Sequence, residues 1–159
     1  EVGNERGEFP EQRAGGCVHA HDLVLRDGND LARAAEVGDN LNARYIVAFT
    51  TTGDTARRLA RYRSPVPLLA FTPDEHVRNQ LSLTWGVETF LVPSVEHTDQ
   101  MVMQVERELL GLRRCVEGDL VVIVAGSPPG IAGSTNAMRV HIMGDAAAGV
   151  APAYRGGGS

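Results

Sequence analysis

Tyr45-Ile46-Val47-Ala48-Phe49-Thr50-Thr51-Thr52-Gly53-Asp54-Thr55 is the stretch whose reading decides the fold. Its first five residues are β-branched, aromatic or small, all apolar, and too few for a core helix, so they read as a buried strand. Beyond Gly53 the period changes to 3.6, with Ala56, Leu59 and Ala60 on one face and Arg57, Arg58 and Arg61 off it. The stretch is therefore strand, turn, helix. A glycine-containing turn with hydroxyls at Thr50, Thr51 and Thr52 gathers free backbone N–H groups at the positive end of a helix, a setting that suits a phosphate. The same residues have a plainer use, since Thr52 or Asp54 could simply cap the helix.

Working upstream, Asp30 opens a helix with Leu31, Ala34, Ala35 and Leu41 as its inward stripe, and Asn42-Ala43-Arg44 leads into the strand. Downstream, Pro67 to Phe71 reads as a second strand. Thr72 is expected to cap the next helix, with Pro73 in its first turn, Val77, Leu81 and Thr84 or Trp85 facing inward, and Gly86 closing it in a left-handed conformation. Val87 to Val92 is the third strand, stopped by Pro93. Thr98 is expected to cap a longer helix with Met101, Val102, Val105, Leu109 and Leu112 on its apolar face. Asp119 to Ala125, the most continuously apolar run, is a fourth strand that needs cover on both faces.

Four strands alternating with helices predict a three-layer α/β/α domain around a mostly parallel sheet. No helix follows Ala125. A loop, Gly126-Ser127-Pro128-Pro129-Gly130-Ile131-Ala132-Gly133-Ser134-Thr135-Asn136, leads to the alternating segment Met138 to Met143. That connection is too short for a helical crossover, so a fifth strand should run antiparallel beside the fourth, at the edge of the sheet. An unpaired edge there would favour self-association. The expected division is a flexible arm over 1–28, the α/β domain over 29–144 and a flexible tail over 145–159. His19 and His21 lie in the arm with no third ligand nearby, so they read as solvated and no metal site is expected.

The chain of 159 residues has a net charge of −5, which argues against a nucleic-acid surface. Its cysteines, Cys17 and Cys115, are too few and too far apart for a disulfide framework or a zinc pattern. No apolar run approaches the length that spans a bilayer, and the expected compartment is the cytoplasm. In parallel α/β sheets ligands bind beyond the carboxyl ends of the strands, where the strand order reverses. If the first and fourth strands are neighbours, the threonine turn and the Gly126–Ser134 loop face each other across that crevice. Together they offer amides and small side chains but no nucleophile–base pair, which suits holding an anion rather than reacting with it.

Residues 30–144 resemble the C-terminal, regulatory α/β domain of pyruvate kinase, especially the forms of high-GC bacteria. The resemblance is carried by Thr50-Thr51-Thr52-Gly53-Asp54-Thr55-Ala56-Arg57, Tyr62-Arg63 and Trp85-Gly86-Val87. It continues in Gly118-Asp119, Gly126-Ser127-Pro128-Pro129-Gly130 and Thr135-Asn136-Ala137-Met138-Arg139-Val140. It implies a five-stranded, mostly parallel sheet with an antiparallel last strand. It also implies an allosteric site for a phosphorylated effector at Thr50, Thr51, Thr52, Gly53 and Thr55, closed by Gly126, Ser127, Gly130, Gly133 and Ser134. No catalytic residue is implied in this chain. The magnesium and potassium of the full enzyme belong to a barrel of about 250 residues, and no segment here matches it. The partners implied are that catalytic domain, or further copies of the chain. Ser94 to Val105 lacks the tryptophan and arginine that hold a second phosphate in members responding to fructose bisphosphate, so a sugar monophosphate or nucleotide monophosphate is preferred. Two other readings stay open: a free-standing phosphosugar- or nucleotide-binding module, and a remnant serving only as an interaction surface.

Overall fold

A computed structural model describes residues 22–24, 30–126 and 137–146. In chain order the elements are β1 (Asp22–Val24), α1 (Asp30–Asn40), β2 (Tyr45–Phe49), α2 (Asp54–Ala60), β3 (Leu68–Thr72), α3 (Glu75–Leu81), β4 (Val87–Leu91), α4 (Thr98–Gly111), β5 (Leu120–Ala125) and β6 (Ala137–Ile142). The sheet order is β1-β6-β5-β2-β3-β4. Pairs β5–β2, β2–β3 and β3–β4 are parallel, and β6 runs antiparallel to β5 with Leu120 opposite Ile142 and Ala125 opposite Ala137.

Alternation along each strand makes two cores. Ile46, Ala48, Leu68, Ala70, Val122 and Val124 face α1, α2 and α3, while Val47, Leu69, Phe71, Val121 and Ile123 face α4. Burial on both faces is why these strands read as unbroken apolar runs. On the α4 face Phe49, Phe71 and Phe90 stand in register across three strands, with ring centroids 5.4 and 5.2 Å apart, within the range where tilted aromatic pairs attract. The helical stripe of α4 is as expected for Met101, Val102, Val105 and Leu109, all buried.

Several sequence expectations are corrected. The five expected strands are present, but β1 pairs antiparallel with β6, Asp22 opposite Arg139, so β6 lies between two strands and not at the edge. The cap of α3 is Asp74, whose Oδ1 accepts from the His76 and Val77 amides at 2.8 and 3.1 Å; Thr72 and Pro73 precede the helix. The cap of α4 is His97 instead of Thr98. Gly86 is left-handed, with φ 72, but stands at the entry to β4, beyond the end of α3. Leu41, Trp85 and Leu112 are exposed instead of inward, because α1, α3 and α4 each end before reaching them. Among the described residues, no helix is long and apolar enough to cross a membrane.

Candidate functional site

From β2 the chain moves outward through β3 to β4, then returns by α4 to β5 on the opposite side of β2. The strand order therefore reverses between β2 and β5, and a crevice opens beyond their carboxyl ends. Ala48 is in register with Val124, so Thr50 and Gly126 leave the sheet side by side. This is the adjacency on which the threonine turn and the following loop were expected to converge. Ser127, Gly130, Gly133 and Ser134 lie outside the described residues, and Gly126 is the one member of that loop seen here.

Within the turn the residues divide by burial. Thr50 is buried; its amide donates to the Phe71 carbonyl at 3.0 Å and its Oγ1 accepts from the Gly53 amide at 2.8 Å. That hydroxyl-to-amide closure is a local turn of the kind serine and threonine commonly form. Thr51 and Thr52 are exposed, whereas Gly53 and Thr55 are buried. Neither Thr52 nor Asp54 caps α2. The cap position is Gly53, at φ 84, which has no side chain to cap the helix with. Among the described residues the amides of Thr51, Thr52 and Asp54 make no hydrogen bond. A backbone amide without a protein partner is an available donor.

Arg57 braces this turn from the last turn of the short helix α2. Its Nη1 donates to the Thr52 carbonyl and its Nη2 to Gln80 Oε1, both at 3.1 Å, while Gln80 Nε2 lies 2.9 Å from His76 Nε2. The guanidinium passes so close to Gly53 that a Cβ there would stand 3.2 Å from Arg57 Cζ and 3.2 Å from Leu81 Cδ2. Glycine is required here by the left-handed backbone, and any Cβ would also make the arginine give by a few tenths of an ångström. Residue reading placed Arg57 on a helix face; the glycine four residues earlier was the one signal that it could reach back. Asp54 is exposed, so its charge is not enclosed with the turn amides.

Cys115 is buried behind β5, with burial and then the Asp119 charge pushing its thiol up to about 11, far from a reactive thiolate. Among the described residues, no three histidine, cysteine or acidic side chains come together to hold a metal ion. A second polar cluster, invisible to sequence reading because its members are far apart in the chain, joins Glu106 of α4 to His141 of β6 at 2.7 Å.

The family described as "Pyruvate kinase, alpha/beta domain" matches residues 31–141. The pyruvate kinase of Mycobacterium tuberculosis is 56% identical over 112 residues, which is 70% of this chain and 24% of that protein. That of Corynebacterium efficiens is 54% identical over the same length and the same shares. The chain thus spans 24% of the length of these relatives. Two solved structures of pyruvate kinase from Cryptosporidium parvum share the fold with TM-scores of 0.65, at 24% and 26% identity. They cover 75% of this chain and 23% and 24% of their own. The chain belongs to the pyruvate kinase family, of which it carries the C-terminal alpha/beta domain.

Proposed function

We propose that this chain is the effector-binding and assembly domain of a cytoplasmic pyruvate kinase, holding a phosphorylated metabolite and performing no phosphoryl transfer alone. The observation that carries the reading is the reversal of strand order between β2 and β5, which sets the Thr50–Thr55 turn beside Gly126. The amides of Thr51, Thr52 and Asp54, unpaired among the described residues, and the hydroxyls of Thr51 and Thr52 supply donors, with no base or nucleophile in the turn itself. Gly130, Gly133, Ser127 and Ser134 would close over the bound phosphate, and Arg57 keeps the turn in shape through the Thr52 carbonyl. One turn and one loop provide for a single phosphate, which favours a sugar monophosphate or a nucleotide monophosphate. Phosphoenolpyruvate, the nucleotide, magnesium and potassium belong to the larger remainder of the enzyme, against which this domain would pack, together with further copies of itself.

Calorimetric titration of the chain with glucose 6-phosphate, adenosine monophosphate and fructose 1,6-bisphosphate tests this directly. A monophosphate should give a saturable heat, weakened at least about tenfold in the Thr52→Ala, Gly130→Val double variant. Silence with all three would contradict the reading and leave an interaction surface only. In a coupled assay the purified chain should form no pyruvate; measurable turnover would overturn the non-catalytic assignment.

A further inference from the structure

At the opposite end of the sheet, where β2, β3 and β4 begin, a cavity of about 260 Å³ opens between these strands, α1 and α2. Its depth is apolar. Ile46, Leu59 and Leu68 form the wall, and Ala35 and Ala60 are too small to fill the space between the helices. Its mouth is different. Arg63 and Trp85, both exposed, line it with the guanidinium carbon 3.9 Å from the centre of the indole ring. A guanidinium stacked on a ring face keeps its N–H donors spread in its own plane, open to a partner. Arg63 enters none of the ion pairs formed among the described residues. Its backbone is left-handed, with φ 51, the conformation in which the chain leaves the end of α2. Among the described residues, no acidic side chain lines the cavity.

We propose that this cavity is a second ligand site, for a small carboxylate with an apolar or aryl body and no amino group. The planar fork of Arg63 matches a carboxylate bidentately, and the apolar depth takes the body out of water. The volume lies just below that of pockets for drug-sized molecules, so the ligand is fragment-sized. An α-ammonium would stand at the mouth beside the like charge of the Arg63 guanidinium, with no acidic side chain among the described lining residues to balance it, which disfavours amino acids. The cavity shares no residue with the Thr50–Thr55 turn, so the two sites stand or fall separately.

Trp85 is the single tryptophan of the chain, so its fluorescence reports on the mouth of the cavity. The full chain is titrated with 3-phenylpropanoate, with phenylalanine, which adds only the α-ammonium, and with uncharged 3-phenylpropanamide. The expected result is a saturable change with 3-phenylpropanoate, with a dissociation constant on the order of millimolar for so small a ligand, and binding at least about tenfold weaker for the other two. Arg63→Gln and the cavity-filling Ala60→Leu should each abolish saturation while circular dichroism shows them folded. Should either variant fail to fold, the three ligands compared on the unmodified chain decide the matter. The proposal is overturned by an absence of saturation with 3-phenylpropanoate, by equal binding of phenylalanine or the amide, or by undiminished binding to folded Arg63→Gln.

Discussion

Glu106 is where a single side chain has most influence on the α4 side of the molecule. Its Oε1 accepts from His141 Nε2 at 2.7 Å, from the Gly144 amide at 2.7 Å and from the Ala146 amide at 3.0 Å. Burial pushes its carboxyl up, but the hydrogen bonds from Ala146, His141 and Gly144 outweigh that and hold it below its ordinary 4.5. The neighbouring pair, Arg139 with Asp99 at 3.8 Å, leaves Asp99 79% exposed and contributes little by comparison. Replacing Glu106 by Ala strands a buried imidazole and two amides, at about 1–3 kcal/mol for a buried group left unsatisfied, a loss that urea unfolding at neutral pH should show. The native state binds a proton at Glu106 less readily than the unfolded chain does. Its stabilisation is therefore complete above about pH 4.5 and is lost as the pH falls through the lowered native value. Unfolding curves between pH 6 and 3 should accordingly fall more steeply for the natural chain than for Glu106→Gln, and parallel curves would contradict this.

Among the elements, the turn from β2 into α2 is built on Gly53. An alanine there meets the left-handed backbone at φ 84 and the Arg57 guanidinium 3.2 Å from its Cβ. Gly53→Ala should destabilise the domain by about 1–2 kcal/mol, read as a lowered midpoint of thermal unfolding; an unchanged midpoint would show the turn to be slack. This element was legible in the sequence because a five-residue apolar run, a glycine and a 3.6-period stripe follow one another without interruption. Its neighbours were less so. Thr72, Pro73 and Asp74 all suit a helix start, and only geometry shows that Asp74 reaches the His76 and Val77 amides. Leu41, Trp85 and Leu112 continue an apolar period past the point where each helix stops, so period alone carried them inward. The three residues of β1 join through backbone hydrogen bonds to β6, which leave no side-chain signature. For the proposed site, the position of the threonine turn between β2 and α2 was readable from residue pattern. The link between Glu106 and His141, from a helix to a strand 35 positions on, depends on tertiary folding.

At the scale of the whole molecule, the reversal of strand order sets the crevice proposed to hold a phosphate, and β1 pairs with β6, the strand that follows the second loop of that proposed site. A chain lacking residues 1–28 would bare the β6 edge, whose backbone groups then seek another strand. Light scattering should find larger species for the truncated chain than for the full one, and identical masses would contradict this role of β1. The central claim is that the β2–β5 crevice receives a phosphate on backbone amides. Its most direct measurement is amide nuclear magnetic resonance of the ¹⁵N-labelled chain during titration with glucose 6-phosphate and with adenosine monophosphate. The account predicts saturable shifts, with at least one of the two, at the amides of Thr51, Thr52, Asp54 and Gly126. Shifts absent from those amides, or confined to Arg63 and Trp85 at the other end of the sheet, would contradict it.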